Sequence, residues 1–155
     1  MKLTSELVPK TAWYSNVRSN VTRAEWDVIR HQVYANAGNI CEICGGKGKR
    51  HAVECHEVWE YDDNTNIQKL VRMIALCPAC HSVKHLGRAR AVGIYNEALA
   101  QLQKVNGITA AEANAYSSTV FAQWRERSKY KWKLDIKNLN KYINKIKKTG
   151  KNYAW

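Results

Sequence analysis

Two C-x-x-C pairs, Cys41-Glu-Ile-Cys44 and Cys77-Pro-Ala-Cys80, stand 32 residues apart. Each pair sets two thiolates on one turn. Two such pairs complete the closed tetrahedral four-sulfur site of a structural zinc. The same stretch carries a second set of metal-competent groups. His81 and His85 are four apart, which on a helix puts both imidazoles on one face. Cys80 lies about 100° around that helix from His81, so the thiol can serve the zinc while the imidazole faces elsewhere. His56, in Glu54-Cys55-His56-Glu57, is the natural third ligand. Three protein ligands with open positions suit a catalytic metal, as a closed site does not. The four-cysteine set favours Zn, whereas the histidine set admits Mg, Mn, Ni or Zn. The competing readings are disulfides for the cysteines and ordinary surface or core positions for the histidines.

The elements that must position these groups are partly marked. Thr22-x-x-Glu25 is a capping box, and Trp26, Ile29, Val33 and Ala37 follow helical spacing to Gly38, which delivers the chain into the first knuckle. His51 to Trp59 reads as a strand, Tyr61 to Gln68 as a polar loop, and Val71 to Leu76 as the partner strand. Pro78 fits the first turn of a helix carrying His81 and His85. A helix is predicted from about Ala89 to Val105, with Ile94, Ala98, Leu99 and Leu102 on one face and Asn106-Gly107 as its stop. A second capping box, Thr109-x-x-Glu112, opens a helix to about Arg127. Trp132, Leu134 and Ile136 alternate as a short extended piece, and Leu139, Ile143 and Ile146 predict a final basic amphipathic helix. The expected fold class is α+β in a single domain over 1–155: an N-terminal arm and helix (1–37), a zinc-stapled ββα module (38–88), and a helical region with a basic tail (89–155).

The run from Cys41-x-x-Cys44 through Val53-Glu54-Cys55-His56-Glu57-Val58 to Ala75-Leu76-Cys77-Pro78-Ala79-Cys80-His81-x-x-x-His85 resembles the HNH (His-Me finger, ββα-metal) endonucleases, in the subgroup stapled by a four-cysteine zinc. The resemblance covers roughly residues 38 to 88. It implies a hairpin strand offering a metal ligand followed by a general base, and a helix offering the remaining ligands, here His81 and His85. Two alignments are open. In the favoured one His56 is the ligand and Glu57 stands where the family has a His base; in the other Cys55 is the ligand and His56 the base. The family's middle Asn falls near Arg72 and is absent there, with Asn64 or Asn66 as substitutes if the loop folds back. The implied catalytic residues are Glu57, His56 and His81, and the implied reaction is metal-dependent hydrolysis of DNA. The alternative is a catalytically degenerate HNH-fold zinc protein that binds nucleic acid or inhibits a protein partner.

Charge supports a polyanionic partner. Of a net charge of +12, residues 125–155 carry +9, from 11 Lys/Arg against Glu126 and Asp135. Tyr130, Trp132, Tyr142, Tyr153 and Trp155 are interleaved with these lysines, a pattern that suits nucleic acid, with double-stranded DNA as the expected partner. Lys129, Lys131 and Lys133 are the tail's candidate phosphate contacts, and Arg88 and Arg90, just after the metal helix, are two more. A merely solvated basic surface is the competing explanation. The chain has no apolar run of membrane-spanning length, and no apolar segment follows Lys2 as a signal peptide requires. Metal-type cysteine spacing favours a reducing compartment, so a cytoplasmic location is expected; small basic proteins that resemble this one occur in phages, which makes a bacterial or phage-encoded protein the expectation.

Overall fold

Thr22 opens the first helix, α1 (Arg23–Asn36), in a computed structural model that describes residues 1–148. The Thr22 hydroxyl accepts from the Glu25 amide at 3.1 Å, and the Glu25 carboxylate accepts from the Thr22 amide at 3.0 Å. Trp26, Ile29 and Val33 are buried along its inner face. Gly38, at φ +64°, ends it in the left-handed conformation that a side chain resists.

The chain then enters an antiparallel hairpin, β1 (Glu54–Asp62) and β2 (Ile67–Leu76), with Glu54 opposite Leu76, His56 opposite Ile74 and Asp62 opposite Ile67. This corrects the expected strands. Residues 51–53 precede the ladder, whereas Tyr61, Asp62, Ile67 and Gln68, expected in a loop, belong to it. The turn is only Asp63 to Asn66. The Asp62 carboxylate accepts from the Asn64 and Thr65 amides, and Asn66 takes φ +55°. Local Asx chemistry thus closes tightly a stretch whose polarity reads as a long loop.

Six α-helices and a three-stranded sheet make up the α+β fold of the described residues. After β2 come α2 (Pro78–Lys84), α3 (Leu86–Ala91), α4 (Tyr95–Asn106) and α5 (Ala110–Arg127). A single helix from Ala89 to Val105 is therefore not formed. Gly93, at φ +82°, breaks it, and the Ile94 amide closes the break on the Ala89 carbonyl at 2.9 Å. The second capping box forms at Thr109 and Glu112 as expected. The predicted extended piece is β3 (Lys133–Asp135), which pairs parallel with Ile67 to Lys69. The basic region thus completes the sheet instead of lying apart from the module. The final helix is α6 (Leu139–Lys148); Tyr153 and Trp155 lie outside the described residues, as does the Ile146 side chain.

Among the described residues the strand order β1-β2-β3 leaves one edge of β1 unpaired. One core, with Ile74, Leu76, Val83, Leu86 and Leu102, joins the hairpin to α2, α3 and α4. A second core, with Trp26, Ile29, Leu70, Met73 and Leu139, lies against α1 and α6. Alternation along β1 assigns Glu54, His56 and Val58 to one face and Cys55, Glu57 and Trp59 to the other. The N-terminal segment is tied across the helices: Asn106 brackets Leu3 through two hydrogen bonds, the Tyr116 hydroxyl accepts from the Ser5 amide, and Glu6 pairs with buried Lys84 at 3.1 Å. Among the described residues no helix is long and apolar enough to cross a membrane.

Candidate metal centre and its cavity

The sequence brings the four cysteines together through two different devices. In the first knuckle the Gly45 amide donates to the Cys41 carbonyl, and the Cys44 and Gly46 amides point at the Cys41 and Cys44 sulfurs at 3.5 and 3.4 Å. In the second, Cys77 is the N-cap of α2 and its sulfur accepts from the Cys80 amide at 3.5 Å, with Pro78 supplying the first helical position. Glu42 locks the two together. Its amide donates to the Ala75 carbonyl at 2.9 Å, and its carboxylate accepts from the Ala75 amide at 2.6 Å. Gly48 is obligatory in the connecting loop, because a Cβ there would sit 2.2 Å from the His51 carbonyl and 2.7 Å from Pro78.

The ligand sulfurs of Cys41, Cys44, Cys77 and Cys80 lie within 4.8 Å of one another, with Cys44 and Cys77 3.6 Å apart. Four Zn–S bonds of ~2.3 Å in a tetrahedron require sulfurs ~3.8 Å apart, so the set fits zinc. No disulfide is present among them. Burial raises the Cys77 and Cys80 thiols. Burial also opposes ionisation of Cys41, but amides of Cys44, Cys77 and Ile43 bring it down to about 7. This is the local field that favours a thiolate.

The structure gathers His56, His81 and His85 as a second cluster whose ligand atoms also lie within 4.8 Å of one another. The Nε2 atoms of His81 and His85 are 3.1 Å apart, and His56 stands edge-on to both rings at 5.2 Å between centroids. Metal–nitrogen bonds of ~2.0–2.1 Å converging at tetrahedral or octahedral angles give separations of about 3.0–3.4 Å, so this pair too fits one shared ion. His85 reaches its place differently from the expectation. It is not within the helix but at the break between α2 and α3, at φ −119° and ψ 54°. Burial, helped by the neighbouring imidazoles, holds His56 down to about 2 and His85 to about 4. Both are neutral lone-pair donors at physiological pH, the form a metal takes.

Glu54 contacts the histidine cluster, a place that its position in the sequence alone did not reveal. Its carboxylate lies 3.3 Å from His81 Nδ1 and 3.4 Å from His51 Nε2. The His81 contact is the largest reason that its carboxyl is lowered to about 2. A carboxylate on Nδ1 fixes the tautomer and turns Nε2 toward the cluster. Period-two spacing from His56 was the available signal, since it places Glu54 on the same face.

Around these groups lies a cavity of about 690 Å³, lined by His56, His81 and His85 and by Glu57, Arg88 and Arg90 among others. Residues from both faces of β1 border it: His56 from one, Cys55, Glu57 and Trp59 from the other. Burial pushes Glu57 up to about 7, although the backbone of Val17 and Arg18 and the Trp59 side chain favour its charged form. Arg90 stacks over Phe121 at 4.1 Å and Tyr95 at 4.7 Å. Trp13, Trp26 and Trp59 also line the cavity.

Other candidates fall elsewhere. Cys55 packs toward the second core and is pushed up to about 12 by burial first and by Glu57 next, which suits a packed thiol. Asn64 and Asn66 sit at the hairpin turn, at the opposite end of the ladder from His56, and Arg72 faces Glu42 at 3.9 Å. Lys129 pairs with Glu126 at 2.7 Å, while Lys131 and Lys133 are exposed; none of the three lines the cavity. No protein-family model, curated protein or solved structure matches this chain.

Proposed function

We propose that the protein is a metal-dependent endonuclease of the HNH type that hydrolyses DNA phosphodiester bonds. The observation that carries this reading is the convergence of three imidazoles on one point of an open, arginine-bordered cavity, next to a separate four-cysteine cluster. A protein that needs only a structural staple has no use for the second cluster. A divalent ion held by His56, His81 and His85 would supply Lewis-acid stabilisation of the scissile phosphate and its leaving oxygen. The chain's own residues do the rest. Glu54 holds His81 in the ligating tautomer. Glu57, titrating near neutrality, takes the proton of the attacking water, a role that calls for a base whose pKa matches the working pH. Arg88 and Arg90 hold flanking phosphates, and the basic region adds sequence-independent affinity that falls with salt.

One observation favours a second reading. Glu57 lies on the face of β1 opposite His56, so the strand itself stands between its carboxylate and a water held at the histidine cluster. A protein in which that reach fails binds nucleic acid without cutting it. Supercoiled plasmid incubated with the zinc-loaded protein and added Mg²⁺, Mn²⁺ or Ni²⁺, beside His81→Ala, separates the two. Cutting by the wild type alone supports the nuclease. Intact plasmid with every metal, together with a band shift that salt abolishes, supports the binding module.

A further inference from the structure

A second cavity, of about 930 Å³, adjoins the one that holds the histidines. Arg18, Trp26, Cys55 and His81 line both, so the two meet beside the cluster. Along α1, Arg23, Asp27, Arg30 and Tyr34 succeed one another at spacings of four, three and four, which sets them in one stripe on a helix. All four border the second cavity. Its carboxylates are already engaged. Asp27 accepts from Arg30 Nε at 2.9 Å, and Glu54 faces His81 and His51. Arg18 and Arg23 are exposed, and among the described residues neither has a carboxylate within ion-pair distance.

Arg18 is held in place without being neutralised. It opens a single 3-10 turn, Arg18–Asn20, next to the fully buried Val17. Its guanidinium lies 5.7 Å from the centre of the Trp26 ring, a contact that orients a cation and leaves its charge for a ligand. Arg23 and Arg30, seven residues apart on α1, are separated by ~10.5 Å along the helix axis. One strand of DNA carries a phosphate every ~3.4 Å of axis, so this wall spans about three of them. A row of forks suits a polyanion, since a single phosphate would fill one and leave the others unpaired.

We propose that this second cavity is a track for one strand of DNA, whose phosphates Arg18, Arg23 and Arg30 hold as the strand approaches the histidine cluster. Arg88 and Arg90, in the first cavity, take the strand beyond the cluster. The N-terminal turn and α1 thereby set how the strand lies, and the lysines of the basic region add affinity without direction. The proposal rests on the nuclease reading for the reaction to which the strand is led, whereas the track itself stands on the arginines.

The test uses zinc-loaded protein without a second metal, so that nothing is cut. Binding to a short labelled DNA duplex is read by fluorescence anisotropy over a range of salt. Each phosphate contact adds about 0.9 to the slope of log affinity against log salt concentration. Arg18→Gln combined with Arg23→Gln is expected to lower that slope by about 1.8, and Arg18→Lys combined with Arg23→Lys to restore it. Lys2→Gln combined with Lys104→Gln removes the same charge from outside both cavities and is expected to leave the slope within about 0.5 of the wild type. Asp27→Asn acts in the opposite sense. It releases Arg30 and takes a negative charge from the wall, so binding tightens and the slope rises by about 0.9, a gain that no misfolded protein shows. An unchanged slope in the arginine pair, a fall that lysines do not restore, an equal fall in the lysine pair, or weaker binding by Asp27→Asn overturns the proposal. Plasmid cutting with added Mn²⁺ tests the nuclease separately. A lowered slope in the arginine pair without cutting by the wild type keeps the track and removes the nuclease, whereas cutting with an unchanged slope keeps the nuclease and removes the track.

Discussion

The two clusters share helix α2 and differ in almost every other respect. Cys80 and His81 are neighbours in the chain, yet one faces the sulfurs and the other the imidazoles. The cysteine cluster is closed: four soft ligands, several backbone amides aimed at sulfur, and three of the four residues buried. It joins the end of β2, the start of α2 and the loop after α1. The histidine cluster has three imidazoles that could hold a metal, one adjoining carboxylate and a cavity on its open side. A closed four-sulfur set has no position left for a substrate oxygen, while three ligands leave several. The sulfurs meet at the start of α2, and the helix that begins there brings His81 and His85 to His56.

On that division of labour the largest effect comes from the sulfurs. Structural zinc contributes about 10–16 kcal/mol in small zinc-finger peptides, against a whole-domain stability of ~5–15 kcal/mol. Cys77→Ala, or chelation of the zinc, is therefore expected to unfold the protein, read as loss of the far-ultraviolet circular dichroism signal together with loss of bound zinc. A folded Cys77→Ala variant would remove the distinction between the clusters. His85→Ala should do the reverse. Its place at the α2–α3 break asks little of the helix, so the melting temperature should stay within a few degrees of the wild type. Affinity for the second metal, measured by calorimetry on zinc-loaded protein, should fall at least about 100-fold, since losing a ligand exceeds the 10–100-fold typical of losing its outer support.

The same contrast explains what could be read in the sequence. The cysteine cluster was legible because two C-x-x-C pairs and a Pro-led helix are local devices. The capping boxes at Thr22 and Thr109 were legible for the same reason. The histidine cluster was legible in membership but not in detail. Nothing in the spacing of His81 and His85 announces that α2 ends at Lys84, leaving His85 at a bend. The hairpin was misread where Asp62 and Asn66 close a tight turn through side-chain and positive-φ chemistry that polarity alone conceals. Gln68 fell in that misread stretch, so its burial was invisible. Likewise, the cavity is assembled by residues as distant as Trp13, Trp59 and Trp124, and no local pattern reports such a meeting.

Smaller effects come from the groups that support each cluster. Glu54→Gln keeps the size of the side chain but removes the charge beside His81 Nδ1. Loss of such a carboxylate costs about 10–100-fold in metal affinity, and the same calorimetric titration should show that drop with the fold intact. A drop under twofold would mean that Glu54 merely pairs with His51.

The cysteine cluster has a corresponding neighbour, Gln101 on α4, whose side-chain amide donates to Cys80 Sγ at 3.2 Å. Here the expectation is smaller. The sulfurs already receive donors from the Cys44, Gly46 and Cys80 amides, which no side-chain change removes. Gln101 is partly exposed, so water can take over its bond after Gln101→Ala. The cost should be about 1 kcal/mol or less in a urea titration, with zinc retained in full. A support made of backbone survives the loss of one side chain, whereas a support made of one side chain does not. Gln101→Ala costing more than Glu54→Gln, or releasing zinc, would show that the closed cluster relies on its surroundings as much as the open one does.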